Sequence, residues 1–427
     1  MKVLVVTDVL WRDDNGVGNS YSNIFNGIKD LTVANICCKR GTSNNSISSK
    51  CFQISEAGIL RNIKNKNYPS GIVEEKKQDT STPQRDSKLV RIIKRSRLQI
   101  FFWMVNLIWK TGRWKSKELD AFIDEFNPDV IFAQLQDKPY LNDVVRYVKK
   151  RADKPLCLYA WDDVYSLKQF SLSPLFWIDR FMQRRSIRKV VKQCNVLYTI
   201  CAEQQEEYKR TLKANTKLLY KGYDFVNKEY EKTDIKKPLE ILYTGNLYSG
   251  RYKTLKKFCK LLAKINKDQV KAKLSIYSAT PLTKKEIKKI NIPNVSEFFG
   301  QVKSREVQFL QEKADVLLHL EPFTLKGSLL CRLSFSTKLV DYFYNGKCVF
   351  AVGSKRCSSM KYLERNDSAI TVTNLKELYS AMEQTFSSTE KVTEYSVKAF
   401  ETGKKNHQIT QIQGALINDF TELINSK

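Results

Sequence analysis

A chain of 427 residues is too long for one ordinary core and suits two α/β domains with their connections. A hydrophobic fraction of 42% lets each half bury a core, and a formal net charge of +28 points to an anionic partner: nucleic acid, a phosphate-bearing substrate or the inner face of a membrane. The ten cysteines lack C-x-x-C spacing and mostly sit in apolar settings such as PLCLYA around Cys157, so they read as reduced core thiols and not as disulfides or zinc ligands.

The chain begins MKVLVVTDV, a β-branched run that reads as a buried parallel strand over Lys2–Asp8 and not as a signal peptide. Gly16-Val17-Gly18-Asn19 forms a glycine loop before a helix from Ser20. Further strands are predicted at Val33–Cys37, Val130–Gln134, Leu156–Ala160 and Val196–Ile200, with helices at Ser116–Glu125 and Leu141–Lys150. The polar stretch 65–87 reads as a loop, and the charged stretch Asn227–Pro238 as an interdomain linker. A second alternation follows, with strands at Ile241–Thr244, Leu274–Tyr277, Val316–His319 and Val349–Val352. Two such runs predict two Rossmann-like α/β domains facing a cleft: residues 1–230, residues 231–404, and a C-terminal helix within 405–427 packing back on the first domain. No stretch approaches the roughly 20 apolar residues that span a bilayer, so a cytosolic location is expected.

Two glycine motifs fail their usual tests. Gly16-Val17-Gly18-Asn19-Ser20-Tyr21 has Tyr21 in place of the third glycine of a dinucleotide fingerprint, and it starts too long after the strand. A glycine loop at a helix start still suits a phosphate or a sugar hydroxyl, so Gly16 and Gly18 remain candidate donor contacts. Gly245-Asn246-Leu247-Tyr248-Ser249-Gly250-Arg251-Tyr252 has Walker glycine spacing, but Arg251 replaces the lysine and Tyr252 the hydroxyl residue, which excludes an ATPase. The same segment, ILYTGNLYSGRYKTL, is a strand, a turn and a basic helix start. Downstream, Ser336 or Thr337 would cap a helix whose free N–H groups, with Lys338, hold a diphosphate. Asp341 lies one turn deeper on the same side, placed to accept both hydroxyls of a ribose. Arg251 would clamp the diphosphate and neutralise it as it leaves. The alternative is that Lys338 and Asp341 are only a surface pair. The sequence contains no D-x-D triplet, the usual carboxylate pair that holds a metal on a sugar diphosphate.

PNVSEFFGQV, EVQFLQEKADVLLHLEPF and STKLVDYFYNGKCVFAVG, in that order, resemble the donor half of retaining glycosyltransferases of the family-4 type. FNPDVIFAQ, CNVLYTICAEQQEEYKRTL and LLYKGYD resemble the first half, with Lys221 where that family's closing turn has asparagine. The resemblance implies the two-domain glycosyltransferase-B fold and a nucleoside-diphosphate sugar donor held by Gly245, Asn246, Arg251, Gly300, Gln301, Ser336, Thr337, Lys338 and Asp341. It also implies transfer with retention to a glycan or lipid-linked acceptor, no resident cofactor, and a departing diphosphate that takes the acceptor proton. Two departures stand out. The family's paired glutamates become Leu333 and Asp341, with Glu321 either a substitute or a strand-end surface group. The family's first-domain histidine is replaced by Trp161, followed by Asp162 and Asp163. Asp162 or Asp163 would orient the acceptor or the donor sugar, unless Asp163 is a helix N-cap. His319 reads as a satisfied core residue. These departures keep two other readings open: a catalytically impaired partner on the same fold, and a nucleotide-sugar epimerase.

Lys88–Lys115, KLVRIIKRSRLQIFFWMVNLIWKTGRWK, carries aromatic residues between basic flanks, and a second basic stretch runs from Arg180 to Lys192. This composition reads as an interfacial segment docking on anionic lipid, or else as core helices with a basic edge. No nucleic-acid motif accompanies the charge, so nucleic acid is not an expected partner.

Overall fold

Buried β-branched runs form the centre of each half, as expected for parallel strands covered on both faces. The computed structural model describes every residue except 15, 75–98, 232, 233, 236 and 427. Contacts divide the chain into two units: Met1–Leu167 with Ser171–Leu219 and Gln413–Lys427, and Tyr220–Ile412 with Lys168–Phe170.

The first unit holds β1 (Lys2–Thr7), β2 (Thr32–Cys37), β3 (Ser48–Ile54), β4 (Gly71–Glu74), β5 (Val130–Gln134), β6 (Leu156–Ala160), β7 (Val196–Thr199) and β8 (Thr216–Leu218). Their order is β4-β3-β2-β1-β5-β6-β7-β8, and only β4 runs antiparallel to its neighbour. Local signals set the helix ends. Ser116 accepts from the Leu119 N–H at 3.2 Å to start Lys117–Phe126, Asn127 closes that helix at φ 43°, and Pro139 opens Pro139–Ala152. The C-terminal helix, Ile409–Asn425, buries Leu416 and Phe420 here, and Asp419 accepts from Tyr198 and Lys217.

The second unit holds β9 (Leu239–Thr244), β10 (Ala272–Tyr277), β11 (Ser296–Gly300), β12 (Val316–Leu320), β13 (Cys348–Val352) and β14 (Ile370–Val372), all parallel, in the order β11-β10-β9-β12-β13-β14. The chain winds outward from β9 to β11, then returns to β12 and winds the other way. The point where the order reverses is therefore between β9 and β12, and ligands bind such sheets outside the carboxyl ends of those two strands. The corresponding point in the first unit lies between β1 and β5.

Several expectations need correction. Gly16 and Gly18 do not form a loop before a helix; both lie in the first turn of the helix Gly16–Phe25. The stretch 65–87 contains strand β4, and its residues from 75 onward fall outside the described residues, as do 88–98 of the basic segment. Ser296–Gly300, not predicted as a strand, is one, because a short alternating edge strand carries little periodic signal. The second unit begins at Tyr220, ahead of the charged stretch taken for the linker. None of the ten cysteines forms a disulfide, and all but Cys194 are buried.

Candidate functional site

The carboxyl ends of β9 and β12 bring together side chains far apart in sequence. After β9 the chain turns at Gly245-Asn246, and a short 3-10 turn leads to the helix Arg251–Ile265. Arg251 reaches back over the sheet. Its Nε donates to the Leu320 carbonyl at 3.0 Å, one Nη to Asn246 Oδ1 at 3.2 Å, and the other to Glu321 Oε2 at 2.7 Å. Glu321 follows β12 directly and is almost wholly buried. Burial alone would raise its carboxyl pKa, but the contacts with His319 and Arg251 outweigh that and hold it below the usual range. Glu321 is therefore not a surface group. His319, two residues earlier and so on the same strand face, is buried with Nε2 3.4 Å from Glu321 Oε1.

Lys338 is the second cation. Its ammonium packs closely on Gly245: a Cβ there would sit 2.5 Å from Nζ. Burial, and then the neighbouring Arg251, lower its pKa to about 8. Among the described residues Lys338 makes no hydrogen bond or ion pair. Two cations thus sit at one reversal point, one neutralised by Glu321 and the other lacking a partner of its own.

Asp341 completes the cluster differently from expectation. Its Oδ1 already accepts from Lys221 Nζ and from the Tyr223 hydroxyl, both at 2.5 Å. Tyr223 stacks on Tyr344 at 4.5 Å, and the loop carrying Lys221 is held from behind by buried His407, whose Nδ1 meets the Lys221 carbonyl at 3.0 Å and whose Nε2 meets Tyr362 Oη at 2.8 Å. Only Oδ2 of Asp341 remains without a described partner, so a ribose would meet one carboxylate oxygen and not two. Tyr223 carried no signal in the sequence; Lys221 was visible only as a departure from the family's asparagine.

The expected side-chain cap at this helix start does not form. Thr337 precedes the helix Lys338–Tyr344 but makes no capping hydrogen bond, and the Ser336 N–H is spent on Ser359 Oγ at 3.0 Å. Gly300 ends β11 and Gln301 follows it, two strands from the reversal point, and no described hydrogen bond joins them to Arg251 or Lys338. Leu333, where the family has its first glutamate, is fully buried in the core.

In the first unit Gly18 has a packing reason: a Cβ there would lie 2.0 Å from the Arg12 carbonyl oxygen, whereas Gly16 faces open space. Asp163 is consumed by its own loop. It accepts from the Ser166 N–H at 2.8 Å and from the Ser166 hydroxyl, and buried Arg180 lies 3.5 Å away. No helix begins there, so it is neither an N-cap nor an available catalytic carboxylate, and Arg180 is an interior ion-pair partner and not part of a basic surface. Asp162 is exposed, and its carbonyl takes Gln204 Nε2 at 2.8 Å. Trp161 packs 5.2 Å from Tyr21 and 5.4 Å from Tyr159. Its indole nitrogen, the Tyr21 hydroxyl and the Gln134 side-chain oxygen are buried with no hydrogen-bond partner among the described residues, near the carboxyl ends of β5 and β6. Asp8, at the end of β1, is buried and bound by Lys138 and by the Tyr140 hydroxyl at 2.5 Å. Sequence reasoning did not single out Tyr21, Gln134 or Asp8 as candidate site residues, because their burial and partners depend on the fold.

Two doubly wound α/β units, joined in this order, form the glycosyltransferase-B fold. The solved structures agree over nearly the whole length. HepE of Anabaena, crystallised in complex with UDP and glucose, matches with a TM-score of 0.63 at 12% identity, over 99% of this chain and 100% of that one. The sucrose-phosphate synthase of Thermosynechococcus elongatus matches with a TM-score of 0.62 at 11% identity, over 100% of both chains. WaaG, a glycosyltransferase involved in lipopolysaccharide biosynthesis, matches with a TM-score of 0.59 at 11% identity, over 97% of this chain and 98% of that one. No family model and no curated protein sequence matches the chain.

Proposed function

We propose that the chain is a glycosyltransferase that moves a sugar from a nucleoside-diphosphate sugar to a hydroxyl of a lipid-linked glycan, with retention and without a metal ion. The observation that carries this reading is the closeness of Arg251 and Lys338 at the β9–β12 reversal point, where Lys338 feels Asp341 and Glu321 but makes no ion pair with any described residue. A diphosphate supplies that partner. As the sugar–oxygen bond breaks, negative charge grows on the leaving phosphate, and two fixed cations in a partly buried site stabilise it without reorganising. The departing phosphate takes the acceptor proton in this reading, and neither Glu321, tied to Arg251, nor Asp163, tied to Arg180, is asked to act as a base. Asp341 Oδ2 orients the ribose. The unpartnered Tyr21, Gln134 and Trp161 atoms offer hydroxyl contacts for a sugar. UDP, present in the HepE complexes, is the first nucleotide to test.

The test is nucleoside-diphosphate release by Arg251→Ala and Lys338→Ala. Each should lower turnover by about 100-fold or more, and activity should survive a chelator. Unchanged turnover in both variants would remove the site assignment. Leu333 in the core favours the second reading, an inactive partner that binds the nucleotide. That reading predicts UDP affinity with no sugar transfer in the unaltered protein.

A further inference from the structure

We infer that the first unit carries a two-part site for a single anionic phospholipid of a bilayer, with an apolar slot for an acyl chain and a cationic slot for the phosphate. The inference rests on the membrane part of the reading above and is independent of the donor site. The helices Gln99–Thr111 and Pro174–Val191 expose Phe102, Met104 and Leu107 on one and Ile178, Phe181 and Met182 on the other. Large apolar side chains gathered this way mark an interaction face more often than they occur by chance. Trp103 Nε1 donates to Asp179 Oδ1 at 3.1 Å and ties the two helices together.

Beside them lies a cavity of about 500 Å³ lined by Trp103, Leu107, Trp109, Ile178 and Met182, within the size range of ligand sites. It adjoins a second cavity of about 640 Å³ whose walls carry Lys110, Arg113, Lys115, Arg146 and Lys150, with Trp109, Lys110, Trp114 and Asp143 common to both. Among the described residues Asp143 is the only acidic one lining the pair, and it is bound to Arg146 at 3.3 Å. Lys110, Arg113 and Lys150 make no hydrogen bond or ion pair with any described residue. Each cavity also includes a residue with an unsatisfied buried polar atom, Asn106 Oδ1 in the apolar one and Arg146 Nε in the cationic one. Three tryptophans stand in or beside the junction, as they do where apolar and polar layers of a membrane meet. No helix among the described residues is long and apolar enough to cross a membrane, so this face would lie on the bilayer and draw one lipid into itself.

The test uses the full chain with phosphatidylcholine vesicles, with and without phosphatidylglycerol, and with bromine on the acyl chains. Sedimentation should require the anionic lipid, and brominated chains should quench tryptophan fluorescence. Lys110→Gln, Arg113→Gln and Lys150→Gln together should weaken vesicle binding by roughly 100-fold, about fivefold per charge. Leu107→Ser with Met182→Ser should abolish the bromine quenching, while both variants keep the UDP affinity of the unaltered protein. Equal binding to neutral vesicles, or quenching untouched by the serine pair, overturns the inference. So does a concentration-dependent dimer in sedimentation velocity that the serine pair disperses, because a second copy would then be the occupant. Vesicle binding that persists in a protein without UDP affinity would remove the donor reading and leave this one standing.

Discussion

Raising the pH should loosen the nucleotide through one residue. Lys338 carries a pKa lowered to about 8 by burial and by Arg251. Below that value it is charged and meets the diphosphate as an ammonium; above it the free protein must first take up a proton to bind. The sign follows: affinity is greatest below pH 8 and falls as pH rises, until the pKa of the bound state is reached. With a free-state pKa of about 8, roughly nine lysines in ten are charged at pH 7 and one in ten at pH 9. Affinity should therefore drop about tenfold over that interval, or about 1.4 kcal/mol. Calorimetric titration of UDP at pH 7, 8 and 9 measures it. Lys338→Arg is the control, because a guanidinium keeps its charge throughout and any titration of UDP itself is common to both proteins. A flat profile in the unaltered protein, or an equal fall in Lys338→Arg, would refute the assignment of Lys338 to the diphosphate.

Three further outcomes follow from named contacts. Glu321→Ala strands the buried Arg251 and should cost about 3–5 kcal/mol in denaturant unfolding, whereas a change below 1 kcal/mol would mean that the pair is not buried as described. Asp341→Asn should bring UDP and its 2′-deoxy analogue to nearly equal affinity, since Asp341 Oδ2 is the proposed ribose acceptor; discrimination that survives places the ribose elsewhere. His407 is held neutral by burial, with its pKa lowered from 6.5 to about 4, so its contribution to stability is complete above pH 6.5 and lost as pH falls toward 4. The loss amounts to about 3 kcal/mol. Thermal unfolding of His407→Gln should show a shallower acid dependence over that window, and matching slopes would exclude this residue as the source.

Much of the architecture was readable in advance because strand and helix periods are local. KVLVVT, VIFAQ, LCLYA and CVFAV are apolar on both faces, which covered parallel strands require, and each is a strand in the structure. Ser48–Ile54, Gly71–Glu74 and Ser296–Gly300 escaped notice because polar residues interrupt them and they lie toward the sheet edges, where burial imposes no clear pattern. The candidate site divides along the same line. Arg251, Lys338 and Asp341 stood out because a strand, a turn and a basic helix start are written in consecutive residues.

What each charge meets is not written that way. Arg251 finds Glu321 across 70 positions, and Lys221 finds Asp341 across 120. Such pairings depend on which strand ends the winding of the sheet brings together, a property of strand order and not of any segment. Folding therefore withdrew Asp163 into a turn with Ser166 and Arg180, spent the Ser336 N–H on Ser359, and left one oxygen of Asp341 open. The order of elements and the identity of the two cations were local information. The pairing of Arg251 with Glu321, and the absence of an ion pair on Lys338 among the described residues, arose only when the fold brought these strand ends together.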